Sequence, residues 1–322
     1  MIKTQGHLMN IEKIETYAVI SEGVQALVSI ERTDLGLRYS IAIPAVSKPT
    51  AVLLSELKKR LITEVTIGIS EVLDPKVIIQ IKERFATNTY KILDLLMPSL
   101  DVEIKNFLTG ILINDMLGLG DIEFLLNDFF LEEIVINSSL EPVRVYHKKY
   151  GWLETSIIIP NEAQILNYAN IIARRVGRQI TTLSPLLDAH LVTGDRSNAV
   201  LYPISHKGNT ITIRKFARDP WTVTDLINNR TCPIEIFALL WLVIQYEMNI
   251  LVSGGTGSGK TSFLNVIMPF IPPNHRIISI EDTRELQLPK FLYWAPLVIW
   301  PPNPEGKGEI TMLDLLINSL RM

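Results

Sequence analysis

One glycine-rich stretch constrains the fold of this chain more than any other feature. Residues 253–261 are Ser-Gly-Gly-Thr-Gly-Ser-Gly-Lys-Thr, between an apolar run at 249–252 and a stretch of helical character at 262–270. Glycines at this spacing, followed by Lys-Thr, are typical of a loop that joins the end of a strand to the start of a helix. The sequence therefore predicts an α/β unit built around this strand, loop and helix.

The chemistry of the loop predicts binding of a nucleoside triphosphate. Glycines let successive N–H groups point inward at phosphate oxygens, and the following helix adds its positive end. Lys260 is expected to reach the β- and γ-phosphates, and the Thr261 hydroxyl is expected to be a Mg²⁺ ligand. The alternative is a glycine-rich turn that matches by chance, which the flanking strand and helix patterns disfavour. The candidate phosphate-binding residues are Gly254, Gly255, Thr256, Gly257, Ser258, Gly259, Lys260, Thr261 and Ser262.

Composition excludes several classes of protein. The 322 residues are 47% hydrophobic and 20% charged, which is typical of a globular protein with two or more domains. The net charge of −3 gives no general attraction to nucleic acid, so we predict no nucleic-acid partner. The single cysteine, Cys232, excludes an internal disulfide and fits a reducing compartment. We predict a cytoplasmic protein, because the first 15 residues lack the apolar core of a secretory signal and the apolar run at 236–244 is too short to cross a bilayer.

Apolar periodicity divides the region before the loop into two predicted parts. Residues 15–46 alternate in short runs, which predicts an antiparallel meander, and helices are then expected at 52–62, 75–96 and 101–117. Asp74 before Pro75 is the expected N-cap of the second helix. A compact α+β region is expected to follow and to end near residue 218. Its predicted elements are strands at 132–137, 143–146 and 156–159, a helix from Asn161 to about Val176 that stops at Gly177, and a hairpin of 199–204 with 210–214.

The region around the loop alternates helix and strand. A helix at 233–248, strands at 249–252 and 276–280, and a helix at 312–319 predict a parallel sheet with helices on its faces. The predicted fold class is thus α/β, with an N-terminal α+β domain followed by a phosphate-loop domain, which the family resemblance described below implies to be a partial RecA-like domain. The predicted segments are a meander with helices at 1–100, an α+β domain at 101–218, a linker at 219–232 and the phosphate-loop domain at 233–322.

An acidic box follows the second predicted strand of this unit. Residues 277–280 are apolar except Ser279, and the carboxylates Glu281, Asp282 and Glu285 lie in the next five residues. In open parallel sheets, ligands bind beyond the carboxyl ends of the strands, so these carboxylates are expected near the phosphate loop. Acidic groups there can surround Mg²⁺ or orient an attacking water. The alternative is a solvated, charge-rich turn.

Together these motifs resemble the type II/IV secretion ATPase superfamily, and most closely its archaeal branch, which includes archaellum motor and pilus-assembly ATPases. The resemblance covers the chain from about Leu108 to the last residue, and residues 1–100 lie outside it. The segments that carry it are the loop 254–261, the box 279–286, Thr212-Ile213-Arg214-Lys215-Phe216 and Thr193-Gly194-Asp195-Arg196.

The resemblance implies a hexameric, ring-shaped ATPase that works with a polytopic membrane platform protein. It implies ATP and Mg²⁺ as cofactors, and places ATP between the N-terminal domain and the RecA-like domain. Glu285 matches the water-activating base, while Glu281 and Asp282 match positions that support Mg²⁺ or the loop. Arg196 and Arg214 match positions that reach the γ-phosphate, and a guanidinium suits that task because it binds phosphate oxygens bidentately. Without the resemblance, both arginines could equally be surface or strand-edge residues.

The chain departs from the family pattern at its C-terminal end. The family continues with a second acidic strand and a histidine-containing box, whereas this sequence ends at Leu320-Arg321-Met322. We therefore expect a fragment of a longer ATPase, in which nucleotide binding is a firmer expectation than catalysis. A nucleotide-gated scaffold without turnover is the alternative function. A nucleic-acid translocase is a third hypothesis, and the net charge argues against it.

Overall fold

A computed structural model describes residues 12–34, 36–64, 75–191, 194–216, 220–255, 257–300 and 308–322. It divides the chain into two compact units, Met1–Lys215 and Phe216–Met322, here named unit 1 and unit 2. The boundary predicted at residue 100 falls inside unit 1, so the meander and the α+β region lie within the same structural unit.

A nine-stranded sheet runs through the described part of unit 1. Its strand order is β1-β2-β3-β6-β5-β4-β9-β8-β7, and neighbouring strands are antiparallel except β3 and β6. The strands are β1 (Glu12–Ser21), β2 (Val24–Thr33), β3 (Gly36–Ala42), β4 (Leu131–Ile136), β5 (Arg144–His147), β6 (Gly151–Thr155), β7 (Leu186–His190), β8 (Arg196–Val200) and β9 (Thr210–Arg214).

The predicted meander is confirmed, two predictions for the other strands need correction, and one strand was missed. The strand expected at 156–159 forms instead at Gly151–Thr155. Ile157 and Ile159 are buried in the core, so their apolar character reflects packing and not membership of a strand. The first strand of the predicted hairpin is shifted to Arg196–Val200. Strand β7 was not predicted at all, although its residues alternate between exposed and buried.

Helices cover the sheet and form a second core beside it. The helices of unit 1 are α1 (Lys48–Glu64), α2 (Pro75–Leu96), α3 (Val102–Met116), α4 (Ile122–Asn127) and α5 (Glu162–Arg175). The first three were predicted at about these positions, and they enclose their own apolar cluster, which includes Leu57, Phe85 and Leu112. Asn161 caps α5 as predicted, since its side chain accepts the N–H of Gln164 at 2.9 Å. The predicted cap Asp74 lies outside the described residues.

A buried carboxylate joins the meander to the rest of unit 1. Asp128 is 1% exposed, and its Oδ2 accepts hydrogen bonds from the hydroxyls of Tyr17 at 2.8 Å and Tyr39 at 2.7 Å. Its Oδ1 accepts the N–H of Phe130 at 2.8 Å. The Lys215 ammonium donates to the backbone carbonyl of the same aspartate. These bonds satisfy polar groups that would be costly to bury alone, and they fix β1 and β3 to the segment before β4.

Unit 2 contains fewer regular elements. They are α6 (Val223–Asn228), α7 (Ile234–Gln245), α8 (Lys260–Ile267), a 3-10 turn (Met268–Phe270), β10 (Arg276–Glu281), β11 (Tyr293–Val298) and α9 (Met312–Ser319). Strands β10 and β11 pair in parallel, which agrees with the predicted parallel sheet, although β11 itself was not predicted. Helix α6 lies within the predicted linker, and Leu226 from this helix packs in the core of unit 2 with Phe237 and Val266.

The strand predicted before the phosphate loop is not a strand in this structure. Residues 249–252 have no assigned regular structure, and Leu251 is 90% exposed. A strand needs a neighbour to accept and donate its backbone hydrogen bonds, and the described residues provide none at this segment. Among the described residues, no helix has the length and apolarity that a membrane span requires.

Candidate functional site

The phosphate loop adopts a curled backbone that depends on glycine at specific positions. Gly259 caps the start of α8 in the left-handed region, with φ of 85°. A Cβ added to Gly254 would lie 2.6 Å from the Ser258 hydroxyl oxygen, so a side chain at 254 would displace this hydroxyl. Ser258 in turn donates its hydroxyl to the carbonyl of Gly255 at 2.8 Å. Gly254, Gly257 and Gly259 therefore have a structural reason, since Gly257 also has a positive φ of 72°. Thr256 lies outside the described residues.

Lys260 folds back over the same loop. Its Nζ donates to the Gly255 carbonyl at 2.6 Å, and its side chain is half-buried. A phosphate oxygen makes a stronger, charge-assisted acceptor for an ammonium than a neutral carbonyl does. Thr261 and Ser262 follow in the first turn of α8, where the backbone N–H groups lack acceptors within the helix. This arrangement fits a polyphosphate group.

Glu281, at the end of β10, holds the segment that carries Glu285. Its Oε2 accepts the backbone N–H of Glu285 at 2.8 Å and that of Leu286 at 2.9 Å. Its Oε1 accepts the Ser279 hydroxyl at 3.1 Å. Both carboxylate oxygens are thus engaged within the protein. The structure supports a loop-holding role for Glu281, and its role as a Mg²⁺ ligand stays a prediction, as does that of the exposed Asp282.

Asn265 ties the same segment to the helix that follows the phosphate loop. Its Oδ1 accepts the N–H of Gln287 at 2.8 Å, and its Nδ2 donates to the carbonyl of Glu285 at 3.3 Å. Sequence reasoning missed this residue. A signal was available, because Asn265 lies four residues after Thr261 and so shares its face of the helix.

The two predicted arginines lie side by side in unit 1. Arg196 in β8 and Arg214 in β9 are cross-strand partners, and Glu133 in β4 is the partner of Arg214 on its other side. Two like charges directly opposite each other in a sheet are unfavourable, whereas the opposite charge of Glu133 beside Arg214 is favourable. The contact of the two arginines with the γ-phosphate stays a prediction. Unit 1 supplies these arginines, and unit 2 supplies the loop and the acidic box.

The described residues include no group of three or more histidine, cysteine, aspartate or glutamate side chains that could hold a metal ion. Mg²⁺ often binds through one or two protein ligands together with substrate phosphates and waters. The Thr261 hydroxyl at the start of α8 fits that kind of site.

Comparison with known proteins identifies the family. The family described as "Type II/IV secretion system protein" matches residues 190–322, which include both arginines, the phosphate loop and the acidic box. Residues 190–322 are thus similar in sequence to this secretion family. The match confirms the family that the motifs indicated, and with it the fold class of an α+β unit followed by a RecA-like unit.

Similar proteins extend the likeness to most of the chain. An uncharacterized protein of Methanocaldococcus jannaschii is 37% identical over 315 residues, which cover 96% of this chain and 42% of that protein. A second uncharacterized protein of the same organism is 38% identical over 74% of this chain and 41% of its own length. The type IV secretion system protein PtlH of Bordetella pertussis is 31% identical over 55% of this chain and 58% of its own length. The chain thus spans about half the length of these relatives or less.

Proposed function

We propose that this chain binds ATP with Mg²⁺ and hydrolyses it as part of a secretion or filament-assembly motor. The observation that carries the proposal is the pair of hydrogen bonds from Asn265, which hold the Glu285 segment against the helix that begins at Lys260. They link the segment that carries the predicted water-activating carboxylate to the helix that follows the phosphate loop. Such an arrangement is what hydrolysis of a phosphate bond needs, because it depends on positioning and charge.

Each residue of the site has a defined task in this proposal. The loop N–H groups and Lys260 bind the phosphates, and Thr261 holds Mg²⁺, which neutralises charge on the phosphate oxygens. Glu285 orients the attacking water and accepts its proton. Arg196 and Arg214 of unit 1 bind the γ-phosphate, so that the presence of this group is reported to a separate part of the protein.

The wider role is also a proposal. The chain forms a hexameric ring, works in the cytoplasm and engages a polytopic membrane protein that serves as a platform for an archaeal filament, pilus or secretion system. Support comes from the family match, from the printed role of PtlH as a type IV secretion system protein, and from relatives in an archaeon.

A comparison of three forms of the full chain tests the enzymatic proposal. ATP binding and phosphate release are measured for wild type, Lys260→Ala and Glu285→Gln. We expect Lys260→Ala to lose binding and turnover, and Glu285→Gln to keep binding while turnover falls by about 100-fold or more. Wild type that binds ATP but releases no more phosphate than Lys260→Ala would favour the scaffold without turnover. Wild type that does not bind ATP would overturn the proposal.

A further inference from the structure

We propose that Asn265 and Glu281 act as a two-sided clamp that positions Glu285 and links it to the filling of the phosphate loop. The inference rests on the proposed function, because it assigns positioning roles to residues that hold the predicted base. Neither residue needs to touch the nucleotide for this role.

The clamp holds the backbone of Glu285 at both of its polar groups. Its N–H is bound by Glu281 Oε2 at 2.8 Å, and its carbonyl is bound by Asn265 Nδ2 at 3.3 Å. In the part of the chain that the structure describes, the Glu285 carboxylate itself makes no hydrogen bond or ion pair. The clamp therefore fixes the backbone position from which this side chain extends, and leaves the carboxylate oxygens available to a water molecule.

One side of the clamp is anchored in the sheet. Trp294 in β11 donates its indole N–H to the Ser279 hydroxyl at 2.9 Å, and that hydroxyl donates to Glu281 at 3.1 Å. Glu281 then accepts two backbone N–H groups of the acidic box, which are strong bonds because the acceptor is charged. This side gives Glu285 a fixed reference to β10 and β11.

The other side of the clamp is anchored in the helix that responds to phosphate. Asn265 lies one turn after Thr261 on the same face of α8, and α8 begins at Lys260. When phosphate draws Lys260 from the Gly255 carbonyl, any shift of α8 is passed to the Glu285 carbonyl and the Gln287 N–H through one side chain. Occupancy of the loop is thereby linked to the placement of the base.

Two substitutions at Asn265 separate the parts of the clamp. Asn265→Leu removes both hydrogen bonds with little change in size, whereas Asn265→Asp keeps the acceptor for Gln287 and loses the donor to Glu285. Asn318→Leu, on the exposed side of α9, serves as the matched control for loss of a helical asparagine. Glu281→Gln keeps an oxygen acceptor without the charge and tests the other side.

The kinetic arm measures kcat and KM for ATP. We expect Asn265→Leu to lower kcat by about 10- to 100-fold with KM within about twofold, because a misplaced group loses turnover more than binding. Asn265→Asp and Glu281→Gln should lose less, and Asn318→Leu should match wild type. An unchanged kcat for Asn265→Leu in an active wild-type background would overturn the positioning role.

The second arm does not depend on turnover. Amide hydrogen exchange is measured over residues 283–289, without nucleotide and with Mg²⁺ and the nonhydrolysable analogue AMP-PNP. We expect faster exchange at Gln287 in Asn265→Leu but not in Asn265→Asp. AMP-PNP should slow exchange in wild type and not in Asn265→Leu. Equal exchange at Gln287 in wild type and Asn265→Leu would overturn the clamp, whereas failure of wild type to bind AMP-PNP would instead overturn the proposed function.

Discussion

The two units of this chain bury their apolar side chains to very different degrees. Unit 1 encloses a continuous core under its sheet and a second core between α1, α2 and α3. The core cluster of unit 2 is small and consists of Leu226, Cys232, Phe237, Val266 and Ile267. Large apolar side chains of unit 2 lie at the surface, including Leu251 at 90%, Leu320 at 82% and Trp241 at 56% exposure.

The two units are therefore stabilised by different kinds of interaction. Unit 1 obtains its fold from burial, and its polar groups are satisfied around that burial, as at Asp128. In unit 2 the segments around the candidate site are held by side-chain to backbone hydrogen bonds from Asn265 and Glu281. Apolar surface of the extent seen in unit 2 typically marks contact with other protein, which agrees with the proposed ring.

The largest expected effect compares one leucine from each unit. Leu125 is 0% exposed in the core of unit 1, so Leu125→Ala should lower the free energy of unfolding of that unit by about 2–5 kcal/mol. Leu251→Ala in unit 2 should change it by less than about 0.5 kcal/mol, because the side chain is already in solvent. Hydrogen exchange of peptides from each unit measures both. A loss above about 1 kcal/mol for Leu251→Ala would show that unit 2 buries this residue in solution.

The next effect concerns the buried carboxylate of unit 1. Asp128→Ala leaves the hydroxyls of Tyr17 and Tyr39 without their acceptor, so we expect a loss of about 2–3 kcal/mol. Asp128→Asn keeps an oxygen acceptor and should lose less than half as much. Urea unfolding of the three forms gives the values. An alanine variant as stable as wild type would show that these bonds contribute nothing net to unit 1.

Local signals allowed much of the fold to be predicted. The bounds of α2 and α9 were predicted to the residue, and Pro75 was the signal for the start of α2. The structure shows that a capping box of Thr311 and Asp314 starts α9. The pairing of β3 with β6 could not be predicted, since it joins residues 38–39 to 154–155 and rests on packing across the chain. The predicted strand at 249–252 failed because an apolar run does not specify a partner strand.

The candidate site likewise has a part that the sequence predicts and a part that it does not. The motif is a run of consecutive residues that includes the glycines, Lys260 and Thr261, so their placement in one loop follows from the motif. The links from Asn265 to Glu285 and Gln287 join positions about 20 residues apart, and nothing in the motif requires them. Their existence depends on how α8 packs beside the acidic box, which only the structure provides.

A smaller effect tests whether the units unfold independently. Asn161 caps α5 in unit 1, and Thr222 caps α6 in unit 2 through a capping box with Asp225. Replacing either cap by alanine should cost about 1 kcal/mol. If the units are independent, Asn161→Ala speeds hydrogen exchange only in peptides of unit 1 and Thr222→Ala only in peptides of unit 2. Exchange that rises in both units for either variant would show that they unfold together.

The smallest expected effect is a pH dependence confined to unit 1. His147 is buried, its Nδ1 accepts the N–H of Lys149 at 3.1 Å, and its ring stacks on Phe130. Burial lowers the pKa of His147 below its ordinary value of 6.5; Asp128 and Glu15 oppose this shift, and the ammonium groups of Lys148 and Lys149 add to it.

The sign of the effect follows from proton binding. The unfolded chain takes up a proton at His147 more readily than the folded one, so stability rises with pH across the interval between the two pKa values. The contribution of neutral His147 to the free energy of unfolding is therefore complete above about pH 6.5, and it is lost as the pH falls through 6.5 toward the folded pKa.

His147→Phe keeps the stacking on Phe130 and removes the titrating group. Urea unfolding at several values between pH 8 and pH 5.5 should show a loss in wild type that is reduced in His147→Phe. Equal slopes in the two proteins would mean that another group causes the loss. In unit 2 the pKa values of Asp225 and Asp314 lie below 3.8, held down by hydrogen bonds from Thr222 and Thr311, so these carboxylates titrate only in more acidic solution and do not contribute in this range.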